Sequence, residues 1–172
     1  VARRAEYAGY GVIVNVQGDE PFVRPEAIAG AVALVRSGRF ELATCATPAG
    51  RDAADNPDVV KVVFADDGRA MYFSRAPIPW VRDRADVVPL DGLVRQHVGL
   101  YAYTRAALER WVALPVHDLE RAERLEQLRP LAAGMVIGVT VIDAPPVMGG
   151  IDTEADLMRA NALWENLFAG RP

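Results

Sequence analysis

The apolar run VIVNV at residues 12–16 breaks off into QGDEP, and that break limits what the chain can fold into. Apolar residues at 12, 13, 14 and 16 read as a short buried strand, and Gly18 and Pro21 end it, leaving Asp19 and Glu20 at its carboxyl end. An apolar-periodic helix over about 26–36 follows Pro25 and stops at SGR, and a strand at about 41–47 comes next. This is a β-loop-α-β unit, which predicts an α/β fold with strands 12–16 and 41–47 as a parallel pair. In open α/β sheets, ligands bind at the carboxyl ends of strands, where Asp19 and Glu20 stand.

The rest of the chain extends the pattern. AGRDAADNP has helix-like character, 59–64 reads as a strand, DDG as a tight turn and 70–74 as the hairpin partner, so the sheet is mixed. Residues 76–93 hold several prolines and charges without periodicity, as an ordered loop or flap does. HVGLYAY returns as a strand. Thr104 caps a helix ended at Pro115, a second helix is expected over about 118–133 with Gly134 as its stop, and MVIGVTVID is the last strand. Thr153 and Asp156 fit a capping box opening a long helix to about 168.

At 172 residues and 51% hydrophobic, the chain has the size of one cored domain, taken as 1–172. Its net charge of −4, without a basic cluster, argues against nucleic acid and a membrane surface as partners. The one cysteine, Cys45, sits in strand-like ELATCAT, which excludes a disulfide scaffold and points to a reducing, cytoplasmic setting. Lys61 is the chain's single lysine; every other cation is arginine, which reads as genome composition.

Several residues are candidates for chemistry. Asp19 and Asp152 stand at comparable places, one after a strand and one at a strand-to-helix junction, and converging strand ends would bring both to one magnesium ion. Each also suits a plain structural role, Asp19 as a turn former and Asp152 beside a helix cap. In RQHVGLYAY, His97 and Tyr101 share a face with Gly99, leaving room for a polyhydroxylated ligand, with a satisfied half-buried histidine as the alternative. Glu123, Glu126 and Gln127 fall at helical spacings of three and four, as a solvated face or an inward patch that binds hydroxyls. Arg75 follows Ser74 at the end of a hairpin strand, where its fork suits a carboxylate or phosphate.

Five stretches in order carry a family resemblance: VNVQGDEP at 14–21, NPDVVKVVFADDGRAMYFSRAPIPW at 56–80, RQHVGLYAY at 95–103, LERAERLEQLR at 119–129 and GIDTEADL at 150–157. Together they resemble the 3-deoxy-manno-octulosonate (Kdo) cytidylyltransferases, also called CMP-Kdo synthetases. The resemblance implies a nucleotide-diphospho-sugar-transferase-like three-layer α/β sandwich with a mixed, mostly parallel sheet. It implies transfer of CMP from CTP to the anomeric hydroxyl of Kdo, with release of pyrophosphate, for lipopolysaccharide synthesis by a cytosolic, magnesium-dependent homodimer. Position by position, it implies magnesium binding by Asp19 and Asp152. It implies sugar-acid contacts by Gln17, Arg75, His97, Tyr101, Glu126 and Gln127, with no general base and a dimer contact around FSRAPIPW. The family's RLPGKPL-type phosphate loop and its Ser-Gly-Thr signature are not among these residues. The expectation is therefore a domain lacking the first N-terminal elements, with a non-catalytic acid-sugar-binding or dimerising remnant, or a cytidylyltransferase for sialic acid, as alternatives.

Overall fold

Strand β1 (Val12–Val16) enters the sheet after a short turn of 3-10 helix at Ala5–Tyr7. The structure, a computed structural model, describes residues 1–82, 93–144, 148, 150, 151 and 153–169. Helix α1 (Pro25–Arg36) opens on a proline, whose missing N–H is no loss in a first turn, and buries Ala27, Ala31 and Val35. There follow β2 (Leu42–Pro48), α2 (Arg51–Asp55), β3 (Lys61–Phe64), β4 (Ala70–Ser74) and β5 (Arg95–Thr104). Then come α3 (Arg105–Ala113), α4 (Asp118–Glu123), α5 (Leu128–Ala132), β6 (Ile137–Val141) and α6 (Glu154–Phe168). Gly68, at φ +83°, supplies the left-handed residue of the turn between β3 and β4. Thr104 caps α3 by accepting from the Ala107 amide at 3.1 Å, and the Thr153–Asp156 capping box opens α6 as expected.

The six strands lie in the order β4-β3-β5-β2-β6, with β1 also paired to β5. The α/β sandwich and the mixed sheet stand as expected, but the sheet is not mostly parallel in its pairings. Only β2 and β6 pair parallel; β5 runs antiparallel to β1, β2 and β3, and β4 antiparallel to β3. The expected β1–β2 pair does not form either. Both strands point the same way, as a crossover through α1 requires, but β5 lies between them and takes the hydrogen bonds of each.

Two apolar layers hold the sheet. On one face, α1 packs Ala27, Ala31 and Val35 on Ala43, Cys45, Val98, Leu100 and Ala102. On the other, Trp111 of α3 and Leu125 and Leu128 of the α4–α5 region cover Leu42, Phe73, Tyr101 and Tyr103. Helices on both faces make three layers. Fully burying a side chain such as Phe73 or Leu128 contributes ~1.5–3 kcal/mol, so these layers supply most of the drive to fold.

The single helix expected over 118–133 is two helices. Pro130 inside such a helix would remove the hydrogen bond to the Glu126 carbonyl and clash with it. In α5 it instead lies in the first turn, where amide protons have no intrahelical partner. The break is made at Arg124, which takes the left-handed conformation at φ 52°. Glu123, Glu126 and Gln127 are therefore not neighbours on one helical face.

Candidate active site

The edges of β5 organise the site. One edge is taken by β2, from Leu42 opposite Tyr103 to Pro48 opposite Arg95. The other is shared: β1 covers Leu100–Thr104, and β3 meets Gln96 through Lys61. In the interval, the Gln17 amide donates to the Gly99 carbonyl at 2.9 Å and the His97 amide to the Val60 carbonyl at 2.8 Å. QGDEP thus leaves the sheet where β3 enters it. Gly99 leaves the space that the Gln17 side chain takes up, because a Cβ there would stand 2.2 Å from Gln17 Oε1 and 3.0 Å from Glu20 Cγ. The Gly99 amide also donates to Glu20 Oε1 at 3.3 Å.

Asp19 is exposed at this exit, and its carbonyl accepts the Ile151 amide at 2.9 Å. The bond joins the GIDT stretch to the QGDEP loop. Asp152 itself lies outside the described residues, as do 83–92 of the predicted flap. Among the described residues no three of His, Cys, Asp and Glu gather closely enough to hold a metal.

His97 and Tyr101 are buried in an aromatic row. Phe73 meets the His97 ring edge-on at 5.3 Å, His97 lies 5.4 Å from Tyr101, and Tyr101 meets Trp111 edge-on at 5.4 Å. The Thr44 hydroxyl donates to the Leu100 carbonyl at 2.6 Å, so at 2.8 Å it accepts from His97 Nε2. That fixes the tautomer: Nε2 carries the proton and Nδ1 is a bare acceptor. Burial holds the His97 pKa down at about 3, so the ring is neutral near pH 7 and too weak a base to take a proton there. Burial, then Tyr103, then Glu126 push the Tyr101 hydroxyl up, and burial pushes Tyr103 up to about 12 against a hydrogen bond from Asn15. Both phenols remain donors.

Arg75 is held at the end of β4. Its Nε donates to the Glu123 carbonyl at 2.9 Å and its Nη1 to the Pro57 carbonyl at 3.0 Å. The Glu123 carboxylate accepts from the Ser74 hydroxyl at 2.7 Å and from the Arg75 amide at 2.8 Å. Among the described residues no carboxylate forms an ion pair with the Arg75 guanidinium. In the α4–α5 corner, Glu126 is exposed and Gln127 buried, and the corner is clamped by Arg129 Nε on Glu120 Oε2 at 2.7 Å.

The structure thus sets Gln17, His97 and Tyr101 along β5 and Glu126 within electrostatic reach of Tyr101, while Arg75, two residues beyond the Phe73 that packs on His97, is held by Glu123 and the Pro57 carbonyl. A 20 Å³ cavity beside His97 has room for one water and is lined by the fully buried Thr47, whose hydroxyl has no partner among the described residues. The larger groove, of about 670 Å³, runs along β1 past Tyr10, Val14 and Tyr103, and none of the predicted site residues that are described lines it. Thr44, Asn15 and Lys61 are participants that sequence patterning misses.

These features define a three-layer α/β protein whose polar candidate residues lie along β5, at the end of β4 and in the α4–α5 corner. The sequence profile of the cytidylyltransferase family matches residues 3–137, and the chain belongs to that family. A relative from Gemmatimonas aurantiaca, named 3-deoxy-manno-octulosonate cytidylyltransferase, is 58% identical over 98% of this chain and 65% of its own length. A relative of the same name from Rhodospirillum centenum is 44% identical over 95% of this chain and 62% of its own. The chain thus spans less than two thirds of the length of these curated relatives. Among solved structures, CMP:2-keto-3-deoxy-manno-octonic acid synthetase complexed with CTP superposes with a TM-score of 0.81 at 34% identity, over 94% of this chain and 65% of that one. The inositol-1-phosphate CTP transferase from T. maritima shares the fold, with a TM-score of 0.54 at 15% identity over 96% of this chain and 59% of that one.

Proposed function

We propose that these residues are the acid-sugar and metal-binding part of a protein that transfers CMP from CTP to the anomeric hydroxyl of Kdo, giving CMP-Kdo and pyrophosphate for lipopolysaccharide synthesis. The observation that carries this reading is the Ile151–Asp19 hydrogen bond, which joins the two acidic stretches at the strand ends where a nucleotide and a sugar would meet. The relatives named for Kdo support the choice of sugar.

In this reading the protons of Arg75 left over from Glu123 and Pro57 receive the sugar carboxylate, as a charge-assisted pair. Gln17, Tyr101, Glu126 and Gln127 hold the hydroxyls, and His97 offers Nδ1 as a neutral acceptor. The anomeric hydroxyl loses its proton to solvent as its oxygen forms a bond to the α-phosphorus and the bond to pyrophosphate breaks. The protein's share is positioning, since phosphoryl transfer leaves it little covalent work. Asp19, an exposed oxygen donor, fits magnesium, and Asp19 and Asp152 would hold it. Magnesium, when bound, neutralises charge on the phosphates and lowers the pKa of the attacking hydroxyl.

We place the contact of a homodimer around FSRAPIPW, where Met71 and Trp80 stand exposed. A cytoplasmic setting agrees with the nucleotide substrate, and no described helix is long and apolar enough to cross a membrane. The test is pyrophosphate release by the intact protein with CTP, magnesium and either Kdo or sialic acid. Release with Kdo alone is expected; release with sialic acid instead would move the protein to another acid sugar, and release with neither would refute the activity.

A further inference from the structure

The single lysine of the chain lies where a lysine is least at home. Lys61 is 0% exposed, in strand β3. Its ammonium spends every proton on a backbone carbonyl: that of Asn56 at 2.7 Å, Val59 at 2.6 Å and Arg75 at 2.5 Å. Among the described residues no carboxylate forms an ion pair with it. Burial, and then the Arg75 charge, hold its pKa below the usual value, with Glu123 and Asp55 pulling the other way. Such a charge is tolerated inside a protein only when all its donors are used. A tetrahedral ammonium can satisfy carbonyls converging from three directions, and a planar guanidinium fork cannot. Geometry therefore explains why a chain that uses arginine everywhere else keeps lysine here.

The carbonyls it binds belong to the two segments that fix Arg75. Asn56 and Val59 flank Pro57, whose carbonyl receives Arg75 Nη1, and the third carbonyl is that of Arg75 itself. The ammonium thus ties the 56–59 turn to the end of β4, and the guanidinium spans from that turn to the Glu123 carbonyl. Nη2 of Arg75 meets no acceptor among the described residues and is left for a ligand.

We propose that Lys61 is a positioning residue for the carboxylate of the acid sugar, acting through Arg75 without touching substrate. This rests on the reading of Arg75 as the carboxylate contact given above. In the intact protein, Lys61→Met is expected to raise KM for Kdo about tenfold, as a displaced charged contact does, with kcat and KM for CTP unchanged. Arg75→Ala raises the same KM at least as far. The double variant is then no worse than Arg75→Ala alone, because Lys61 has nothing left to position. Multiplying effects in the double variant, or equal rises in both KM values, would overturn the proposal. If the parent protein prefers another acid sugar, the functional reading fails, and the same cycle run on that sugar still decides the role of Lys61. Should Lys61→Met not fold, Lys61→Gln, which keeps two donors, carries the cycle. Should neither fold, the parent protein decides by NMR: saturation with Kdo shifts the Lys61 Nζ resonance if the proposal holds, and leaves it in place if it does not.

Discussion

His97 is held neutral by its surroundings, and that has a cost in acid. Its pKa of about 3 in the fold lies below the ordinary 6.5 of the unfolded chain. As pH falls through 6.5 the unfolded state takes up a proton that the folded state refuses until about 3, so stability is lost across that window and none is lost above it. One proton corresponds to a slope of about 1.4 kcal/mol per pH unit. Urea midpoints of the parent protein should therefore fall more steeply between about pH 6 and 4 than those of His97→Gln; parallel curves would show that His97 titrates normally. At this scale the sequence names candidate residues but not what holds them. His97 and Tyr101 on one face are legible from their spacing. The Thr44 partner of His97 comes from a strand some fifty residues away and leaves no local pattern. Lys61 is an oddity in the apolar run VVKVV, and its partners are backbone carbonyls, which have no residue identity to read.

Between α4 and α5 the chain reverses its local geometry, which leaves Glu126 within electrostatic reach of Tyr101 and Tyr103 and buries Gln127. Arg124 pays for this with a left-handed conformation that costs a non-glycine residue roughly 1 kcal/mol. Arg124→Gly is expected to raise the unfolding midpoint slightly and leave KM for Kdo unchanged, since the exposed Arg124 side chain has no hydrogen-bond or ion-pair partner among the described residues. A clear loss of stability would mean the side chain does more than cap a helix. The helix break was half legible: Pro130 announces that one helix cannot run from 118 to 133, yet apolar periodicity continues across it. The neighbours of β1 were not legible at all. Periodicity reports that a strand exists, whereas the placing of β5 between β1 and β2 depends on a strand that arrives much later in the chain.

For the molecule as a whole, the shared edge of β5 is the central feature. It sends QGDEP out of the sheet to where Asp19 meets Ile151 of the GIDT stretch, and it takes β3 in through Lys61. The class of fold is legible because strand and helix periods alternate along the chain, and the family is legible because five stretches keep their order. The long-range joins between those stretches, backbone bonds such as Ile151 to Asp19 and side-chain bonds such as Ser74 to Glu123, are visible only in the fold. The measurement that tests this account most directly is CMP-Kdo formation by the intact protein, parent against Asp19→Asn, across a magnesium titration. The account predicts magnesium-dependent product from the parent and a loss of at least about a hundredfold in the variant, with the fold unchanged by circular dichroism. Turnover by Asp19→Asn within about twofold of the parent would contradict it, and would remove the QGDEP loop from the reaction.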